Sequence, residues 1–180
     1  GVDYVDLVST HFPADWSGKS GGTAARRDQW KAMEAFVKAG KARSIGVSHY
    51  CPRHLDDLLS DPTVTIKPAA NQVEYHIGMG TSGVNATDGL DYMKSKGVAF
   101  LSFSTLCGPC GDKAHKELIS GDLVTNIGKK YGKTGAQVSL KWAVQQGIPV
   151  VPKSSNPVHL KANLDLFGWT LSAADMKALT

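Results

Sequence analysis

Residues 148–163 read IPVVPKSSNPVHLKAN, and this order of residue types predicts a strand, a polar turn and a helix start in direct succession. The apolar run from Ile148 to Val151 stops at Pro152, which has no N–H to give to an inner ladder. Lys153, Ser154, Ser155 and Asn156 follow as a cationic, hydroxyl-rich turn. Pro157 then takes a first helical position with Asn156 as N-cap, and Leu160, Leu164 and Phe167 recur behind it at helical spacing. A helix start carries unpaired N–H groups and partial positive charge, so with Lys153 beside it this turn is a seat for a phosphate. Standing alone, such a pattern is more often an ordinary strand-to-helix turn with a solvated lysine.

The same alternation recurs upstream. Residues 2–11, VDYVDLVSTH, are a dense β-prone run with His11 at its C-terminal end and Pro13 as its stop, followed by a Gly/Ser-rich loop, WSGKSGGT, at 16–23. From Ala24 a helix carries Trp30, Met33, Phe36 and Val37 on one face and ends at Gly40. SIGVS at 44–48 is a short strand followed by His49 and Tyr50, and Pro52 opens a helix through Leu55, Leu58 and Leu59. PAANQVEY at 68–75 is a strand whose Asn71, Gln72 and Glu74 are expected to face a site, since a purely structural strand would avoid that polar load. A glycine-rich loop at 78–83, a helix through Leu90 and Met93, and the strand VAFLSF at 98–103 come next. Helices follow at 123–131 and 134–146, the second opened by a Thr134/Gln137 capping box, and Ser172 with Asp175 caps a last helix. Trp30 and Trp142 are expected in the core, His54 and His115 in solvent.

Five strands, each followed by a helix or by a long loop and helix, specify a parallel α/β fold with its chemistry at the C-terminal strand ends. His11, His49, Gln72, Ser104 and Lys153 all fall there. An open doubly wound sheet and part of an eight-stranded barrel both satisfy the count. No Gly-x-Gly-x-x-Gly turn follows the first strand, and the chain enters that strand without a lead-in. Both features favour a partial (β/α)8 TIM-type barrel of about five βα units.

With 180 residues and 42% hydrophobic content the chain is long enough for one domain of ordinary core size. No stretch approaches the roughly 20 apolar residues of a membrane span. The net charge of +4, from 20 basic and 16 acidic residues, suits small anions and falls short of a nucleic-acid-binding signature. With no charged-then-apolar leader and only three cysteines, a reducing cytoplasm and ordinary thiols are expected.

Four motifs in order, DYVDLVSTHFP (3–13), GVSHY (46–50), NQVEYH (71–76) and VPKSSNP (151–157), make the chain resemble the aldo-keto reductases, from the fourth strand of their barrel to the helix after the eighth. The resemblance implies a single NADP-dependent oxidoreductase domain over 1–180, incomplete at its N-terminus and at its C-terminus. It implies hydride transfer from NADPH, with NADH as the alternative, to a small aldehyde or ketone, while a Tyr supported by Lys, Asp and His protonates the carbonyl oxygen. Only the His of that set has a counterpart, His11, so the segment by itself is expected to be inactive. The implied cofactor contacts begin with Ser48, His49 and Gln72 at the nicotinamide carboxamide, His49 standing where the family commonly has Asn. Phe103 stacks on the nicotinamide in place of a common Tyr, and Ser104, Leu106 and Cys107 line the pyrophosphate side. Lys153, Ser154 and Ser155 grip the adenosine phosphates and Asn163 faces the adenine. His159 and Ala162 stand where the family has Arg and Glu, and Phe12 replaces a frequent Trp in the substrate wall.

Two readings compete. Cys107-Gly108-Pro109-Cys110 matches a thiol-disulfide redox motif, but it needs a helix N-terminus at its first Cys, and Asp112 beside it disfavours a thiolate. A reductase-like chain without the proton-donating Tyr also suits a non-catalytic binding subunit. The six His and three Cys show no zinc-finger spacing, and no metal is expected.

Overall fold

The computed structural model describes residues 1–14, 22–79, 89–108 and 111–180. Most of the loop expected at 16–23, the far part of that at 78–83, and Cys110 of the redox motif lie outside the described residues. Strands β1 (Val5–Ser9), β2 (Ala42–Ser48), β3 (Ala70–Glu74) and β4 (Ala99–Phe103) stand in one sheet in sequence order. β1 and β2 run parallel with Ser9 opposite Gly46, and β2 and β3 run parallel with Ser48 opposite Gln72. Crossover helices between neighbouring strands are what a parallel sheet requires. The described residues form two compact units, those of Gly1–Val73 with Asn85–Phe100 and those of Glu74–Val84 with Leu101–Thr180.

The first unit carries α1 (Gly22–Lys38), α2 (Pro52–Leu59) and α3 (Gly89–Lys96). Trp30, Ile45, Val47, Leu55 and Leu58 are fully buried, and the Trp30 indole N–H donates to the Ile66 carbonyl at 2.8 Å, which removes the polar cost of burying the ring. A Cβ on Gly46 would lie 2.7 Å from Ser9 Oγ and 2.9 Å from the Ala70 carbonyl oxygen. Only glycine lets the three strands close at that point. Arg26, itself buried, pairs with Asp57. Burial alone would raise the Asp57 carboxyl, yet hydrogen bonds from Arg26 and Thr23 hold it below the usual range.

Two expectations fail in this unit. Asn71 does not face a site: it is fully buried, and its side chain clamps the Tyr50 backbone, with Nδ2 donating to the Tyr50 carbonyl at 2.7 Å. A buried carbonyl and N–H left by the chain reversal after β2 need such a partner. His54 is buried rather than solvated, because α2 turns it inward against Tyr50, with ring centroids 5.7 Å apart.

The second unit carries α4 (Asp112–Ser120), α5 (Asp122–Tyr131), α6 (Gly135–Gln145), α7 (Pro157–Leu164) and α8 (Ala173–Leu179). Trp142 is fully buried and stacks on Tyr75 at 4.9 Å between centroids. The Thr134/Gln137 capping box forms as expected, and Ser172 Oγ accepts the Asp175 N–H at 3.1 Å. Lys130, Tyr131 and Ser172 converge on the Asp175 carboxylate and bring its pKa down to about 2, which anchors α8 to α5.

Two expectations fail here, the strand at 148–151 and the Cys107 thiol, and α7 is more exposed than its neighbours. The strand at 148–151 shrinks to a single parallel bridge between Val150 and Ser102. Pro149 and Pro152 lack N–H groups, so the ladder reduces to Ser102 N–H on the Pro149 carbonyl at 2.8 Å. α7 is capped by Asn156 as read, but it buries none of its residues. Leu164 and Phe167 are 77% and 78% exposed. Finally, Cys107 is not a thiol but disulfide-bonded, in a turn that buries it completely.

Candidate active site

In the first unit, the ends of β1 and β2 bring His11, Phe12, Ser48 and His49 together. The exposed His11 ring stacks on Phe12 with centroids 4.4 Å apart and 21° between planes, and Phe12 packs on His49, also at 4.4 Å. His49 has φ 59°, a left-handed conformation that costs a non-glycine residue energy. It is held there by its N–H on the Gln72 carbonyl at 3.0 Å and by its Nδ1 at 3.1 Å from the His11 carbonyl and 3.0 Å from Ser48 Oγ. Ser48 is buried and donates its hydroxyl to the Gln72 carbonyl at 2.9 Å. Gln72 is half-buried at the same strand ends.

In the second unit, a cavity of about 770 Å³ is lined by Ser104, Leu106, Cys107, Lys153, Ser154, His159 and Asn163, seven of the residues expected at the cofactor. Phe103 ends β4, where its carbonyl accepts the Tyr75 N–H, and Ser155 is exposed; neither lines the cavity. Ser104 and Cys107 also have left-handed backbones, φ 52° and 46°. The Cys107 N–H closes on the Ser104 carbonyl at 2.6 Å. Ser154 Oγ accepts the Asn156 N–H at 3.1 Å and thereby shapes the turn that presents Lys153. His115, expected in solvent, is a lining residue as well, its Nδ1 donating to the Leu106 carbonyl at 2.7 Å. Helical periodicity places a residue on a face but does not tell which face meets a loop nine residues upstream.

The three positive-φ non-glycine residues among those described, His49, Ser104 and Cys107, are all positions expected at the cofactor. Such strain persists only where surrounding contacts over-determine it, which is the habit of binding sites. Residues 1–180 match the model of the aldo/keto reductase family. The chain belongs to the aldo/keto reductase family. It is 33% identical to a probable NAD(P)H-dependent D-xylose reductase of Aspergillus flavus, over all of this chain and 62% of that protein. It is 34% identical to the glyoxal reductase of Bacillus subtilis, over 97% of this chain and 55% of that one. Among solved structures, an aldo-keto reductase from a Medee basin deep-sea metagenome library superposes with a TM-score of 0.82 at 30% identity, covering 99% of this chain and 59% of that one. An aldo/keto reductase of Brucella melitensis gives 0.81 at 27% identity, covering 100% and 61%. The chain therefore spans about three fifths of the length of these relatives, and its parallel α/β fold is that of aldo-keto reductase barrels. Among the described residues, no helix is long and apolar enough to cross a membrane.

The residues present fit a dinucleotide. A cavity of about 770 Å³ lies within the range of cofactor sites. Its wall combines one ammonium group, hydroxyls and imidazoles with the N-terminus of α7, a donor set suited to phosphate.

Proposed function

We propose that this chain is the cofactor-holding portion of an NAD(P)H-dependent oxidoreductase that reduces small aldehydes or ketones to alcohols. The observation that carries the reading is the coincidence of left-handed His49, Ser104 and Cys107 with positions assigned to the cofactor by family resemblance. The bound nicotinamide supplies the hydride. Ser48, His49 and Gln72 orient the carboxamide, with Phe103 as the stacking face. Ser104, Leu106 and Cys107 wall the pyrophosphate, Lys153 neutralises phosphate charge, Ser154 and Ser155 donate to its oxygens, and Asn163 and His159 take the adenosine end. His11 hydrogen-bonds the carbonyl oxygen on which negative charge develops, and Phe12 walls the substrate. The 180 residues hold no counterpart of the family's proton-donating Tyr. Turnover is accordingly assigned to a protein that carries this segment, and cofactor binding to the segment itself.

NADPH fluorescence titration of the 180-residue chain tests the reading. Saturable binding, weakened about tenfold by Lys153→Ala, supports it. Absence of binding, or indifference to Lys153→Ala, overturns it.

A further inference from the structure

Glu74 ends β3, His76 follows two residues on, and Cys107 lies in the turn after β4. Their carboxylate oxygen, imidazole nitrogen and sulfur all lie within 4.8 Å of one another. The three belong to the same compact unit, and the backbone holds them in place. Tyr75, between the first two, donates its N–H to the Phe103 carbonyl at 3.2 Å, while Ser102 Oγ donates to the Tyr75 carbonyl at 2.7 Å. The segment bearing Glu74 and His76 is thus tied to the strand end that leads into the Cys107 turn. His76 Nδ1 lies 2.8 Å from the Ile77 carbonyl oxygen. A carbonyl only accepts, so Nδ1 carries the proton and Nε2 the lone pair. That is how a metal-ligating imidazole is commonly oriented, by an outer partner on its other nitrogen. Cys107 is fully buried and Glu74 and His76 half-buried, a setting in which thiolate and carboxylate gain most from a cation.

We propose that reduced Cys107, His76 and Glu74 form a three-ligand site for a zinc-like divalent cation. Mixed sulfur, nitrogen and oxygen donors select zinc over magnesium or calcium, which take oxygen. Ligand bonds of about 2.0–2.3 Å require the three atoms to draw together by roughly 1 Å, within the reach of side-chain rotation. Three protein ligands leave a fourth position for water. The inference does not rest on the cofactor reading.

The site is gated by oxidation. Cys107 is disulfide-bonded, and a disulfide sulfur carries no thiolate charge with which to bind a cation. A water-soluble phosphine opens it: two electrons pass from phosphorus to the disulfide, water supplies the oxygen of the phosphine oxide and two protons, and two thiols form. Metal binding then releases the Cys107 proton to solvent.

The test is Co²⁺ titration of the 180-residue chain, oxidised and phosphine-reduced, followed by Zn²⁺ displacement. The reduced chain is expected to take up one Co²⁺ with a near-ultraviolet thiolate-to-cobalt band that Zn²⁺ abolishes, and the oxidised chain to show no such band. Loss of an outer partner alone weakens metal sites about 10–100-fold, so Cys107→Ser should remove the band and weaken Co²⁺ binding by more than about a hundredfold. Cys51→Ser should leave both unchanged. If Cys107→Ser fails to fold, His76→Gln decides, with a loss of about tenfold or more expected. No uptake by the reduced chain, a band that survives Cys107→Ser, or unchanged affinity in His76→Gln overturns the site. An equal band in the oxidised chain overturns the gate.

Discussion

His49 Nδ1 lies 3.1 Å from the main-chain carbonyl oxygen of His11, so the residue after β2 pins the segment after β1. Because a carbonyl only accepts, Nδ1 carries the proton and Nε2 is the acceptor nitrogen of the ring. An imidazole in this position therefore does two things: it anchors the loop that bears His11, and under the proposed function the same ring meets the carboxamide.

Replacing His49 separates these roles. His49→Leu keeps the bulk against Phe12 but loses the bond to His11, and is expected to weaken NADPH binding about tenfold, the scale of one hydrogen bond of about 1–1.5 kcal/mol. His49→Asn should retain more of the affinity. Equal affinity in the wild type and His49→Leu would show that the ring does not touch the cofactor.

Gly46→Ala is expected to lower stability by about 1–3 kcal/mol, the usual range for overpacking. The new methyl would stand 2.9 Å from the Ala70 carbonyl oxygen and 2.7 Å from Ser9 Oγ, and the backbone contact cannot give way without parting β2 from β3. Urea unfolding measures it. A midpoint within error of wild type would mean that the strands can separate at no cost.

His54 should give the chain an acid-sensitive slope. Its buried imidazole has a pKa below the ordinary 6.5, first from desolvation and then from Arg26 and Arg53, against the opposing charge of Asp57. Among the described residues its Nδ1 has no hydrogen-bond partner. The unfolded chain takes up the proton first as pH falls, so the stability tied to neutral His54 is complete above about 6.5 and is lost on going below it. Thermal melts from pH 7.5 to 5 should show a steeper fall for wild type than for His54→Leu. Parallel curves would mean that the imidazole is as easily charged in the folded protein as in water.

His159→Arg should raise preference for NADPH over NADH. His159 lines the same cavity as Lys153 and Ser154, and a guanidinium offers a phosphate a planar, two-point grip that an imidazole cannot. A gain of about tenfold in the ratio of dissociation constants is expected from one added charged hydrogen bond. An unchanged ratio would place the 2′-phosphate elsewhere.

Features decided within a few residues were legible without coordinates. The Thr134/Gln137 box, the Asn156 cap with Pro157 and the Ser172 cap all form where their residue types place them, because a cap is a bond between a side chain and a backbone group two or three positions away. The strand ends were legible for a similar reason. Parallel strands joined by helices put all their C-terminal ends on one side, so His11, His49, Gln72 and Ser104 could be assigned to such ends from order alone.

What tertiary structure decided was every property that depends on a distant partner. Asn71 and Gln72 are adjacent and equally polar in the sequence. Yet Asn71 is spent on the Tyr50 backbone, because strand alternation turns it to the opposite face from its neighbour. His54 and His115 lie on helices that periodicity locates but cannot orient toward a particular loop. The run from Ile148 to Val151 has strand composition, but Pro149 and Pro152 leave it too few N–H groups for more than one bridge. The meeting of Glu74 and His76 with Cys107 has no local signal at all. It exists because the ends of β3 and β4 are hydrogen-bonded side by side, and a contact across about 30 positions is set by that pairing rather than by spacing.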